Sequence, residues 1–152
     1  MNTARLAALV AAGWAGALAC IGAIAAPAAF ATLARLDAGR FVGRVFMVEA
    51  YLSLAVAVLL FLIERRRSRD AAEAGAGSLF SADLVLLLGT LFCTVAGYFA
   101  IEPMLAAARA GQGPWSFGAL HAASSSLFAL KALLVLALAW RLTASVRLSA
   151  TS

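Results

Sequence analysis

The sequence predicts an all-α protein, a four-helix transmembrane bundle with a short amphipathic segment after the first helix. Three observations lead there. Of 152 residues, 64% are hydrophobic and only 12% are charged, against roughly 45–50% and about 25% in a soluble domain. The mean hydropathy is +0.98. Four apolar stretches each approach or exceed the ~20 residues a helix needs to cross a hydrocarbon core of about 30 Å. A chain this short has too little interior to hide so much apolar surface from water, so lipid is its natural solvent. The whole chain, 1–152, reads as one integral membrane domain.

The first stretch covers about 6–30, the second 45–63, the third 82–101 and the fourth 117–140. Pro27 falls in the last turn of the first, where it bends or ends a helix. Arg5, the apolar stretch and Ala23-Ile24-Ala25-Ala26 also have the outline of a cleavable secretory signal. The stretch is long for a signal core, so a retained span is expected. Cys20 lacks the large aliphatic residue three places earlier that a lipoprotein signal wants; Ala17 stands there.

Between the first two stretches, Leu33, Leu36, Phe41 and Val42 alternate with Arg35, Asp37, Arg40 and Arg44. This mixture is expected to lie as an amphipathic segment at the membrane surface. The polar segment 64–81, with Gly75 and Gly77, is expected to be a flexible cytoplasmic linker.

Arginines set the orientation. Arg5, Arg65, Arg66, Arg67, Arg69, Arg141 and Arg147 fall on one side of the four-span topology, seven in all. Arg35, Arg40, Arg44 and Arg109 fall on the other, four in all. The positive-inside rule places both termini in the cytoplasm. Trp115 and Trp140 flank the fourth stretch, where indoles favour the headgroup zone. The net charge of +5 does not call for nucleic acid, because most arginines separate apolar runs, where topology and membrane lipids account for them.

Small residues recur at helical spacing: Gly89, Cys93 and Gly97 on the third stretch, Gly13 with Ala17 and Gly16 with Cys20 on the first. Such stripes let helix backbones approach closely in lipid. Cys20 and Cys93 form no CxxC pair and read as packed thiols rather than metal ligands.

The ionisable residues inside the apolar runs carry the functional question, because burying a charge in the bilayer is costly. Glu49 lies about one turn inside the second stretch, on the face of Ser53, and is expected to take Arg40 or Arg44 as its cation. Lys131 lies near the middle of the fourth. His121, Ser124 and Lys131 make one polar stripe down that helix, either a seam between helices or the lining of a pathway. His121, Glu49 and Glu102, beside Arg40 and Arg44, fall at similar depth and could form one cluster. No nucleotide loop, GxSxG elbow or HExxH motif is present, so the chain reads as neither an enzyme nor a cofactor protein.

Three segments carry a family resemblance. The first is Pro27-Ala28-Ala29-Phe30 continuing through Gly39-Arg40-Phe41-Val42-Gly43-Arg44-Val45-Phe46. The second is Tyr98-Phe99-Ala100-Ile101-Glu102-Pro103. The third is Leu120-His121-Ala122-Ala123-Ser124. In this order they resemble the transmembrane protein 205-like family, whose bacterial members are domains of unknown function. The resemblance implies a small four-helix membrane protein without an established activity, matched at Pro27, Phe30, Gly39, Arg44, Phe46, Pro103, His121 and Ser124. Lys131 is outside the pattern. Small haem-associated membrane oxidases, a rival family, open with a histidine in the first helix, which this chain lacks.

The expected role is therefore that of a multi-pass protein of a bacterial inner membrane acting through helix-bundle contacts, as a homo-oligomer or with a membrane partner. The alternative is a small permease or ion-coupled transporter using the polar stripe. A metal- or haem-dependent membrane enzyme has the weakest support.

Overall fold

The computed structural model describes residues 3–75 and 81–148. They form four long helices: α1 (Thr3–Thr32), α2 (Arg35–Glu73), α3 (Ala82–Arg109) and α4 (Phe117–Leu148). No strand occurs among the described residues. A helix satisfies every backbone group within its own segment, which hydrocarbon demands of any chain that crosses it.

Short connections force neighbouring helices antiparallel. α1 packs on α2, α2 on α3, α3 on α4, and α4 closes the ring on α1, while α2 and α4 share few backbone contacts. α2 and α4 are therefore diagonal partners that run parallel. The core between the helices holds Ala7, Ala11, Trp14 and Leu18 of α1, Ala57 and Leu60 of α2, Leu87 of α3, and Val135, Leu138 and Leu142 of α4.

Only 22–28% of the most apolar window of each helix is buried. The outer faces carry large apolar side chains such as Leu9, Phe92, Leu133 and Trp140, each more than 60% exposed. A surface of this kind is untenable in water and ordinary in lipid. The four apolar helices make a multi-pass membrane protein.

Two helices contain a π-turn, and each is followed by a proline. In α1 the turn spans Ile21–Ala25, just before Pro27. In α3 it spans Val95–Ala100, just before Pro103. A proline removes one N–H and drives its ring at the carbonyl four residues back. The widened turn shifts the pattern: Ala26 N–H bonds Ile21 O, and Ile101 N–H reaches Ala96 O. The helix thus passes each proline instead of ending there. α3 consequently runs on to Arg109, past the end expected from the apolar run.

The segment after α1 is helical from Arg35 and continues without a break into the second span. Only Leu33 and Ala34 separate the two helices, both in extended conformation. At the other end, the expected linker 64–81 needs correction, because α2 continues to Glu73. Arginine, glutamate and alanine are good helix formers, and Arg67 pairs with Glu64 one turn back at 2.6 Å. Polarity ends the apolar run there, not the helix. Gly75, at φ +70°, closes α2 in the left-handed conformation that glycine adopts without strain. Gly77 lies outside the described residues.

Ser81 caps α3 by accepting the Leu84 N–H at 3.3 Å. Ser116 does the same for α4 through the Ala119 N–H at 3.2 Å.

Candidate functional site: a buried charge pair across the bundle

Glu49 and Lys131 carry the site. Glu49 projects from α2 on the same face as Ser53, one turn on. Lys131 projects from α4. The Lys131 ammonium donates to both carboxylate oxygens of Glu49, at 2.8 and 2.9 Å. Both residues are about 95% buried. Because α2 and α4 are diagonal, the long lysine side chain is what closes the distance between them.

The register repeats one turn earlier. Phe46 of α2 and Phe128 of α4 meet edge to face, with centroids 5.0 Å apart. Phe46 to Glu49 and Phe128 to Lys131 are both steps of three residues, as parallel helices require. The Lys131 ammonium also lies over the Phe128 ring, 5.3 Å from its centre, a cation–π contact strengthened by desolvation.

From Glu49 the network reaches α1. The Ser53 hydroxyl donates to Glu49 Oε1, and the Trp14 indole N–H donates to Ser53 Oγ at 2.9 Å. Trp14, Ser53, Glu49 and Lys131 thus link three helices by charge-assisted and neutral hydrogen bonds. On the α3 side, Thr90 and Thr94 are buried, but their hydroxyls bond back to the carbonyls of Leu87 and Thr90. Among the described residues, no buried side-chain nitrogen or oxygen lacks a partner. An uncompensated charge here would be severely destabilising, while a hydrogen-bonded pair is tolerated.

An open cleft of about 280 Å³ lies between α1 and α2, with Glu49 and Ser53 in its wall and Arg44 among its lining residues.

The other expected site residues do not join this network. Neither Arg40 nor Arg44 pairs with Glu49. Arg40 lies 3.7 Å from Asp37 on the exposed surface, and Arg44 donates to Met47 Sδ at 3.2 Å. The polar stripe on α4 is divided among three neighbours. His121 is exposed and stacks on Phe117 at 5.7 Å. Ser124 donates to the Gly97 carbonyl at 3.2 Å, inside the π-turn of α3. Lys131 holds Glu49. Helical spacing aligned the three, but Ser124 turns to α3, Lys131 to α2, and His121 to Phe117 of its own helix.

The expected outer cluster is divided as well. Glu102 faces Arg109 at 3.8 Å, and the Arg109 guanidinium lies over Phe117, 5.1 Å from the ring centre. Glu49, Glu102 and His121 thus have separate partners. No group of three metal-ligating side chains forms among the described residues. Of the remaining motif positions, Phe30 is exposed and Gly39 has open space where a Cβ would stand.

The small-residue stripes part ways. A Cβ on Gly89 would lie 3.0 Å from Leu134 Cδ1, and one on Gly97 would lie 3.2 Å from Leu127 Cβ, so α3 and α4 use these glycines to approach. A Cβ on Gly13 or Gly16 would meet nothing within 4 Å, and Cys20 is exposed. On α1, Trp14 and Leu18 turn inward, Gly13 and Gly16 are exposed and Ala17 is half-buried; the expectation that Cys20 is a packed thiol is corrected, since it lies on the same outward side.

Sequence reasoning missed Trp14 and Phe128. The signal for Trp14 was an indole N–H in the middle of an apolar run, which needs an acceptor when buried. Phe128 had no signal beyond its place one turn before Lys131.

No curated protein and no solved structure matches the chain. One family matches residues 9–114, a segment that contains Trp14, Glu49 and Ser53 and stops before Lys131. With more than half of its length matched, the chain belongs to the family described as Domain of unknown function (DUF4149).

Proposed function

We propose that this protein is a multi-pass component of a bacterial inner membrane, with both termini cytoplasmic, that works through lateral helix contacts with another membrane protein or a second copy. The carrying observation is the uncovered small-residue face of α1. Gly13 and Gly16 have open space beside them, whereas Gly89 and Gly97 of α3 are used for close packing. Small residues matter in lipid where another helix backbone comes close. Ser124 and Lys131 have separate partners inside the bundle, and His121 stacks on Phe117 at its exposed end, which favours a packing role for them over a continuous pathway. The arginine distribution supports the orientation. The three segments that resemble the transmembrane protein 205-like family support the bacterial membrane setting.

The test is the mass of the protein particle in mild detergent. The reading expects more than one chain per particle or a stoichiometric membrane partner, reduced to a single chain by Gly16→Leu. A strictly monomeric, partnerless wild-type protein contradicts it.

One observation favours a second reading, a small ion-coupled permease. The Glu49–Lys131 pair lies within the membrane-spanning helices and beside an open cleft, where ionisable residues often mark ion pathways. A panel of proton and ion fluxes in liposomes decides. Fluxes unchanged in Glu49→Gln and Lys131→Ala defeat this reading.

A further inference from the structure

The cleft between α1 and α2 runs alongside Glu49 but is mostly apolar. Trp14, Leu18 and Ile21 line it from α1, and Val45, Val48 and Leu52 from α2. Its α2 wall runs from Arg44 to Ser53, about 14 Å along the axis at 1.5 Å per residue. That is close to half of a ~30 Å hydrocarbon core, the depth of one leaflet.

Its two ends differ in charge. At the inner part, the Glu49 carboxylate is matched by the Lys131 ammonium, so the wall there presents no net charge. At the outer end, Arg44 is exposed and, among the described residues, has no carboxylate within ion-pair distance; its guanidinium donates only to a thioether sulfur, Met47 Sδ. Arg40, one turn earlier, has Asp37. A fixed cation without a counter-charge therefore stands at the mouth of an apolar groove one leaflet deep.

We infer that this groove is a binding site for one acyl chain of an anionic phospholipid, with the phosphate headgroup at Arg44 and the chain against Val48, Leu52 and Trp14. Guanidinium binds phosphate oxygens with two parallel hydrogen bonds. The apolar wall selects a chain, and the arginine selects the charge of its headgroup.

Trp14 provides the readout, because it lines the groove and the other two indoles, Trp115 and Trp140, are exposed. A Trp115→Phe/Trp140→Phe protein is reconstituted into phosphatidylcholine vesicles. A small share of the lipid carries brominated chains, on phosphatidylglycerol in one series and phosphatidylcholine in the other. The expected result is quenching of Trp14 by brominated phosphatidylglycerol at about fivefold lower mole fraction, the scale one arginine sets at an anionic surface. Arg44→Gln removes that difference and Arg40→Gln keeps it. Equal quenching by the two lipids, no quenching by either, or a preference that survives Arg44→Gln overturns the proposal. Equal quenching of the Arg44 protein by the two lipids overturns the proposal even if the Arg44 variant fails to fold.

Discussion

Glu49 and Lys131 meet across the diagonal of the bundle, one ammonium straddling two carboxylate oxygens at 2.8 and 2.9 Å. Diagonal helices in a four-helix ring have the least backbone contact, so this pair fixes a distance and a register that packing alone leaves loose. Removing one partner strands the other charge. Lys131→Ala is expected to destabilise the fold by about 3–5 kcal/mol, measured by reversible unfolding in mixed micelles. A loss near that of an exposed substitution contradicts the burial described here.

The indole of Trp14 and the hydroxyl of Ser53 extend the pair to α1, at 2.9 Å. Ser53→Ala leaves a buried N–H without an acceptor, at a cost of about 1–3 kcal/mol. The emission of Trp14, isolated by replacing Trp115 and Trp140 with phenylalanine, is expected to shift with this substitution. An unchanged spectrum contradicts the hydrogen bond.

Gly97 is needed where Leu127 Cβ comes within 3.2 Å of the position its own Cβ would take. A Cβ atom is fixed to its backbone and cannot swing aside, so Gly97→Ala must push α3 and α4 apart. It is expected to cost about 1–3 kcal/mol. Gly13→Ala, with open space beside it within the chain, is expected to stay within about 0.5 kcal/mol of wild type in micelles that hold a single chain. Equal effects of the two in the same unfolding assay contradict the assignment of their faces.

The proposed orientation is tested with single cysteines in a cysteine-free background. Gln112→Cys, in the loop between α3 and α4, is expected to react with an impermeant maleimide in intact spheroplasts. Arg69→Cys, at the far end of α2, is expected to react only after permeabilisation. The reverse pattern inverts the topology.

Much of the fold was legible because hydrocarbon leaves a chain few choices. Length and hydropathy locate four helices, and lipid forbids other backbone conformations at that depth. Helix ends were less legible, because an apolar run ends where the lipid ends, while the helix continues as long as good formers such as Arg65, Arg66 and Ala71 follow. The extension of α3 past Pro103 was equally hidden, since it depends on a π-turn that widens the helix just before the proline.

The site was legible in its parts and not in its assembly. Glu49 and Lys131 stand out because each is costly in lipid, and their opposite charges call for a meeting. Spacing along one helix pointed instead to Arg44 for Glu49, and to His121 and Ser124 beside Lys131. Contacts along a helix can be read from a period of 3.6, but contacts across a diagonal depend on the ring order of the helices, which no local pattern records.

The central claim is that Glu49 and Lys131 act as one unit. A double-mutant cycle with Glu49→Gln and Lys131→Met, read as unfolding free energy in mixed micelles, tests it most directly. The account predicts that the double variant is markedly more stable than the sum of the two single losses allows, a coupling of about 1–3 kcal/mol. Strictly additive losses would mean that the two side chains do not touch in the folded protein.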